Sequence, residues 1–541
     1  MKKTAGTFSK SPRISEMVAF FERNQRSITT SALILAILVF VVICVSKIGI
    51  WSVWFDESFS VFIAKQNFAD IWHYTALDVN APLYYFLLRL WGLIFGFSDV
   101  ALRSLSVVAG VGVIIVGFFL ARKLFGNKAG YLSIPLLTLS PMLLRYSTEM
   151  RCYTFLVLLL LISTLVFVSV NEKPSRRGWL LYGVVTALAL WTHYYAALVI
   201  LAQMVYRLWL KSQQNKIAKE DSLLAKSKAT LKSFFDRDFT IGLIVAVALF
   251  LPWLPNMIKQ FTTLQAAGFW IPSFSLDKVG DLLTELLVYQ QRAQTTDYLA
   301  VMVLVITVLT VVVLVKSWSS LTAKLRRHIV LSLNLLLLPI IVLALASLPP
   351  LRPMFINRYV IFSMIFFAIF MAGICSFRAQ SRRLAIAQKI LYLLMLIASV
   401  VGLLNILHYG NYNFGTKTMS MAKQLMSQID EKSSEQTAIV SDSTWLFYDA
   451  DVYATEKNPV YFLDIGDYPY GSLEMLKDDY AHKIIDLASF AESGQKVWYI
   501  SSDEDTSEIA PVANWKKLET IKVTDPIGGE DDSNATLYLV Q

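Results

Sequence analysis

Two acidic residues stand side by side in Trp51-Ser-Val-Trp-Phe-Asp56-Glu57, directly behind an apolar run. Carboxylates are common carriers of protons at a reacting centre, although an acidic pair at a helix end also fits a solvated terminus. A third acid lies in Arg145-Tyr-Ser-Thr-Glu149-Met-Arg151-Cys-Tyr153, and Arg352-Pro-Met-Phe-Ile-Asn357-Arg358-Tyr359 opens a later apolar run. Arginine stays charged and presents a planar fork that matches phosphate and carboxylate oxygens. At a membrane edge it also serves as a headgroup anchor. If a helix has begun at Glu149, then Glu149 and Arg151 point to different sides of it. Between the acidic stretches lies Asp78-Val-Asn80-Ala-Pro82-Leu-Tyr84-Tyr85, with His73 seven residues upstream of Asn80.

The chain that must position these groups is strongly apolar. Of its 541 residues 55% are hydrophobic, 13% aromatic and 16% charged, and its mean hydropathy is +0.53. Soluble proteins carry roughly 25% charged residues, and one soluble core of this size would need more polar surface to cover it. The 23 glycines, 16 prolines and three cysteines exclude collagen-like, low-complexity and disulfide-scaffold chains. Cys44, Cys152 and Cys375 sit in apolar runs without metal-ligand spacing and read as small buried hydrophobes. What remains is a polytopic α-helical membrane protein. The net charge of +9 is no nucleic-acid footprint. Residues 410–541 hold 10 lysines against 23 acids, a net −13, so the remainder carries +22.

A spanning helix needs about 20 mostly apolar residues. Such runs fall near 31–50, 101–120, 129–147, 153–170, 179–194, 196–210, 240–257, 298–315, 329–348, 359–376 and 390–407, which makes about 11 transmembrane helices. The pair at 179–210 is short and also fits one kinked or re-entrant hairpin. Lys and Arg gather in alternate loops, at 122–128, 173–177, 207–237, 316–327 and 378–389, in step with the basic segment 1–30. The positive-inside tendency therefore places the N-terminus in the cytoplasm and, after 11 crossings, residues 410–541 outside. The first run is too long for a cleaved signal and has no cleavage site before more membrane. In the first outer loop, 51–100, the stretch 86–97 is apolar but too short to span. It reads as an interfacial helix that keeps the loop, and Asp56 with it, at headgroup level.

From 411 onward apolar stretches shrink to strand length, at 437–441, 460–463, 497–500, 518–523 and 536–540, with helical stretches between the earlier ones. This is the pattern of a small extracytoplasmic α/β domain, 410–541, appended to a membrane domain, 31–409. Asn534-Ala-Thr536 fits a glycosylation sequon. In the membrane half every acid lies at a helix end or in a loop. That argues against an ion-coupled transporter, which keeps ionisable groups near the midplane, and leaves a passive flippase open.

Residues 54–170 resemble the GT-C superfamily of membrane glycosyltransferases. Within it they are most similar to the protein O-mannosyltransferase branch and its bacterial relatives of the lipid A aminoarabinose transferase type. Asp56-Glu57 resembles the acidic motif that follows the first span there. Asn80-Ala-Pro-Leu-Tyr-Tyr85 resembles a His-Pro-Pro-Leu-Tyr-Tyr segment, with Asn80 in the place of the histidine and Ala81 in that of the first proline. Ala101-Leu-Arg103-Ser opens the second span and Arg122-Lys-Leu-Phe-Gly126 closes it. Ser140-Pro141 and Tyr146-Ser-Thr-Glu149-Met-Arg151-Cys-Tyr153 resemble a Ser-Pro…Tyr-Ser-x-Glu-Ala-Arg-x-Tyr stretch. Asn357-Arg358-Tyr359 resembles the Arg-Tyr that begins a late span. The likeness is strongest over 55–170, thin over 179–410 and architectural beyond.

The resemblance implies a GT-C-like enzyme of the cell membrane. It would be a hexosyl- or pentosyltransferase that moves a sugar from a polyprenyl-phosphate donor to a hydroxyl of a cell-envelope acceptor (lipid, glycan, wall polymer or protein) at the outer face. It makes Asp56 the general base and Arg151 and Arg358 the ligands of the donor phosphate, with Glu57 and Glu149 as further catalytic acids. Glu57 points elsewhere on most backbones and would orient the loop or substrate, and Glu149 would raise a neighbouring pKa by like charge or coordinate a cation with Asp56. Asn80, Tyr84, Tyr85 and His73 become substrate-positioning groups. His73 could stand in for the missing histidine, although a lone histidine in an aromatic stretch is more often structural. Single-step displacement would invert the anomeric centre. No cofactor is expected, while a divalent cation, Mg²⁺ or Mn²⁺, is compatible with outer-face carboxylates. Membrane lipids are expected partners and nucleic acid is not. The rival readings are a non-catalytic lipid-linked-sugar flippase or scaffold, and a glycan ligase. The outer domain would grip the acceptor, cover the site or merely stabilise the rest.

Overall fold

Local stop and start signals cut the apolar chain into helices. The computed structural model describes residues 25–215, 223–267, 271, 273–289, 297–409, 421–468, 471–501, 510–524 and 532–541. Most of the basic N-terminal segment, the centre of the 207–237 loop and the expected domain junction at 410 lie outside the described residues. The helical part runs α1 (Gln25–Ile48), α2 (Phe55–Lys65), α3 (Phe68–Leu77), α4 (Leu83–Phe95), α5 (Asp99–Phe125), α6 (Asn127–Thr138), α7 (Pro141–Ser147), α8 (Tyr153–Glu172), α9 (Arg176–Thr192), α10 (Ala196–Asn215), α11 (Leu223–Phe234), α12 (Arg237–Phe250), α13 (Leu254–Ala267), α14 (Asp277–Val288), α15 (Asp297–Trp318), α16 (Ala323–Ala346), a 3₁₀ turn at Asn357–Val360, α17 (Ile361–Ser376) and α18 (Arg382–Tyr409). Ser98 caps α5 by accepting from the Ala101 N–H, and Gly126, at φ 93°, ends it.

Seven of these helices are long and apolar enough to cross a membrane, and the bent pair α12–α13 makes an eighth if it is one span. Every expected apolar run is helical, but two are interrupted. The run at 129–147 breaks after α6, where Ser140 caps a new helix with Pro141 in its first turn. The run at 240–257 bends by 70° between α12 and α13, where Leu251-Pro252-Trp253 falls. Residues 179–210 form two helices, α9 and α10, with a short turn between them. Leu35, Leu38, Val42 and Val45 of α1 and Val301, Leu304, Val308, Val311 and Val315 of α15 are exposed, as suits helices solvated by lipid. Helices α9 and α12 touch backbone to backbone. A Cβ on Gly183 would lie 2.2 Å from the Gly242 carbonyl oxygen, the small-residue contact typical of membrane helix pairs.

The C-terminal part adds α19 (Ala422–Lys432), β1 (Ala438–Ser441), α20 (Thr444–Asp451), β2 (Val460–Leu463), β3 (Lys483–Ile484), β4 (Lys496–Ser501), β5 (Trp515–Thr524) and β6 (Asp532–Val540). One sheet has the order β3-β2-β1-β4-β6-β5. Strand β1 is parallel to both β2 and β4, placing Ile439 opposite Val460 and Trp498, while β6 runs antiparallel to β4 and β5. The five expected strands are present; β3, two residues long, has no periodicity to announce it. Asn534 is buried inside β6, opposite Ser501 and Lys522, so the sequon lies within folded sheet.

This sheet layer is pinned to the segment 51–100. The Tyr448 ring of α20 stands edge-on to Phe55, Phe59 and Phe62 of α2, with centroids 5.7, 6.1 and 5.2 Å away. The Ser58 hydroxyl donates to the buried Asp449 carboxylate at 2.5 Å. Lys423 of α19 reaches Asp99 at 2.9 Å and the Gly49 carbonyl at 2.8 Å, and the Tyr453 hydroxyl accepts from the Val53 N–H at 2.9 Å.

Candidate functional site

Helix α2 starts after Trp54, so its first turn carries Asp56. The Asp56 carboxylate faces two guanidiniums, at 3.3 Å from Arg358 Nη1 and 3.8 Å from Arg151 Nη2. Arg151 Nη1 also donates to the Asp56 backbone oxygen at 3.1 Å, the Ser60 hydroxyl at 3.2 Å and the Tyr85 hydroxyl at 3.2 Å. Both arginines are buried, whereas the Asp56 side chain keeps 21% of its surface open. Three elements far apart in sequence thus meet: the start of α2, the turn before α8 and the 3₁₀ turn before α17. The one partly open carboxylate of the cluster lies against two guanidiniums, donors that suit an anion.

The Arg358 guanidinium lies 5.5 Å from the Trp54 ring and 5.7 Å from its neighbour Tyr359. Its turn is held from the side, because the Asn357 amide donates to Glu285 of α14 at 2.5 Å. His193, in the turn between α9 and α10, is ringed by Tyr153, Tyr195 and Tyr359 at 6.0, 5.1 and 5.5 Å. Neither Glu285 nor His193 carries a local sequence signal, since both reach the site only through helix packing.

Glu57 points away from Asp56. Successive helical residues point about 100° apart, so Glu57 turns inward as Asp56 turns out. It is fully buried and pairs with Arg103 of α5 through two bonds, Nε–Oε1 at 2.8 Å and Nη2–Oε2 at 2.6 Å. It also accepts the Met150 N–H at 3.0 Å. Arg103 donates further to the carbonyls of Ile48, Trp51 and Ser52 at 2.8, 2.9 and 3.1 Å. The pair therefore ties the end of α1, the start of α2 and the turn bearing Arg151 into one unit, and its role is to position them.

Glu149 is likewise buried and forms its ion pair with Arg145, four residues before it. His73 lies exposed on α3 beside Tyr74 and takes no part in the cluster. Tyr84 turns to the Ser106 hydroxyl at 3.3 Å, while Tyr85 meets Arg151. The Asn80 amide donates to Asp78, and the Asn80 carbonyl accepts from Gln260 of α13 at 3.3 Å. Among the described residues no three His, Cys, Asp or Glu side chains gather as a metal-ion site. The groups around Asp56 are guanidiniums, which do not fit a cation.

Asp78, a loop acid that sequence reading passes over, is buried beside this cluster. Burial pushes its carboxyl up to about 6, against the pull of the Asn80 and Val79 N–H groups and of Arg151. Between the ordinary carboxylate range and pH 6 the folded chain keeps a proton that the unfolded chain loses. Stability therefore falls as pH rises through that window. Asp78→Asn should flatten this fall and raise stability above pH 6 by on the order of 3 kcal/mol. Thermal unfolding from pH 4 to pH 7 measures it, and an unchanged pH slope would acquit Asp78.

With this geometry in hand, comparison with known proteins is informative. Residues 79–231 match the family model described as dolichyl-phosphate-mannose-protein mannosyltransferase. No curated protein matches the chain by sequence. Among solved structures, ArnT from Cupriavidus metallidurans in the apo state is similar at TM-score 0.56 and 12% identity, covering 95% of this chain and 98% of that one. The same protein bound to undecaprenyl phosphate is similar at TM-score 0.59 and 12% identity, covering 94% and 98%.

Proposed function

We propose that this chain, which has the GT-C fold and resembles the branch of ArnT and the protein mannosyltransferases, is a glycosyltransferase that uses a polyprenyl-phosphate sugar. The observation that carries the reading is the single partly open carboxylate, Asp56, held against the buried guanidiniums of Arg151 and Arg358. The solved ArnT complex contains undecaprenyl phosphate, and a lipid phosphate is the anion such a pair of arginines suits. The alternation of basic loops supports placing this cluster, with the 410–541 domain, on the outer face at headgroup depth.

The chemistry then runs as one displacement. The acceptor hydroxyl gives its proton to Asp56 as its oxygen bonds to the anomeric carbon. The bond from that carbon to the phosphate oxygen breaks, and its electron pair leaves with the phosphate. The phosphate's charge grows from −1 to −2 as the sugar leaves, and Arg151 and Arg358 are already in place to stabilise it. The anomeric centre inverts. Glu57 and Arg103 hold the base, and Tyr85 and Ser60 hold Arg151.

Incubating the protein in membranes with labelled polyprenyl-phosphate hexoses and pentoses tests the reading. Label should leave the lipid and enter an envelope fraction with inverted configuration. Label that stays on the lipid, or that only changes leaflet, would reject it. Arg358→Ala should weaken donor binding about 10- to 100-fold, the range for losing a charged hydrogen-bond donor. Unchanged donor affinity would remove Arg358 from the phosphate site.

A further inference from the structure

The outer sheet domain has three tryptophans among its described residues, and two are hidden. Trp498 is 0% exposed and Trp515 3%. Trp445, in the first turn of α20, is 50% exposed. Its ring lies on that of Phe55, with centroids 4.0 Å apart and planes tilted by 56°. Phe55 is the residue bonded to Asp56. The exposed indole therefore packs on the sequence neighbour of the candidate base, from a different part of the chain.

Its position is fixed rather than incidental. Three residues on, Tyr448 is wedged among Phe55, Phe59 and Phe62, and Asp449 takes the Ser58 hydroxyl at 2.5 Å. The turn leading into Trp445 is polar. Ser443 accepts the Trp445 N–H at 3.3 Å, and Asp442 accepts the Ser501 hydroxyl at 2.6 Å. A flat aromatic face that follows this polar turn suits a ring that is apolar on its face and polar at its rim. The exposed aliphatic side chains of α1 and α15 lie on other elements.

We infer that Trp445 is the acceptor platform, and that the acceptor presents a sugar ring, stacked on the indole so that a hydroxyl reaches Asp56. This deepens the proposed transfer reaction and rests on it. The lipid donor takes the arginine side, the outer domain supplies the acceptor side, and the product is a lengthened or branched glycan.

Saturation-transfer NMR on the full chain in detergent tests it, with chitotriose, mannotriose, maltotriose and an arabinofuranose trimer as probes. At least one trimer should bind the natural chain and Trp445→Phe. Trp445→Ala should weaken that binding roughly five- to tenfold, the scale of one lost aromatic contact. The inference is overturned if no trimer binds, if Trp445→Ala binds as the natural chain does, or if only a Ser/Thr-rich peptide or phospholipid micelles bind at Trp445. Asp56→Asn separates this from the transfer reading: it should keep trimer binding and lose transfer. Retained transfer in that variant would sink the base assignment and leave the platform standing.

Discussion

Asparagine at position 56 should abolish sugar transfer while the lipid donor still binds. The exchange keeps the size of the side chain and an oxygen for the guanidiniums of Arg151 and Arg358, which the carboxylate meets at 3.8 and 3.3 Å. What it removes is the ability to take a proton. A positioned base contributes roughly 10²–10⁴-fold, so kcat should fall by at least about a hundredfold. Donor affinity should hold or improve, because the amide no longer competes with phosphate for the two cations. The paired measurement is single-turnover transfer and equilibrium binding of polyprenyl phosphate. Transfer at the natural rate would end the enzymatic assignment of Asp56. A protein that only flipped lipid-linked sugars would tolerate the change.

Arg103→Ala should strongly destabilise the region around the start of α2. It strands Glu57, which is 0% exposed, without its cation and takes the donor from three carbonyls at 2.8–3.1 Å. Breaking a buried ion pair from one side costs about 3–5 kcal/mol, a large share of the about 5–15 kcal/mol that holds a folded domain together. Thermal unfolding and folded yield in detergent measure it. The double change Arg103→Leu with Glu57→Leu should recover much of the loss, since no charge is left buried, yet transfer should stay low because α2 loses its anchor. If Arg103→Ala melts like the natural chain, the pair does not fix the start of α2.

The parts of this protein that were legible in the sequence are those with a local physical cause. Apolar runs announce helices because lipid demands them, and alternating apolar stretches announce strands. Asp56 could be singled out because it directly follows an apolar run, and Arg151 and Arg358 because arginine is sparse in the loops between the basic ones. Which of Asp56 and Glu57 faces the arginines depends on the rotational phase of α2, set by where the helix starts at Trp54, and adjacency in sequence says nothing about phase. Glu149 had its partner in view, since Arg145 stands four residues earlier at helical spacing. The Arg151 alongside drew the eye instead. Ser140-Pro141 is a helix start written into the chain, outweighed by the hydropathy of its neighbours. His193, Gln260 and Glu285 could not be found, because helix packing alone brings them to Tyr359, Asn80 and Asn357.

The two arginines that grip Asp56 also dictate a sequence of events. With no phosphate nearby, the carboxylate lies against both of them. In the proposed reaction an arriving lipid phosphate would take over the guanidiniums and release the carboxylate, so the lipid would enter before the acceptor. The spent lipid phosphate, with its second charge, would be held by the same guanidiniums more tightly than the donor, and its departure would be the slow event of each cycle.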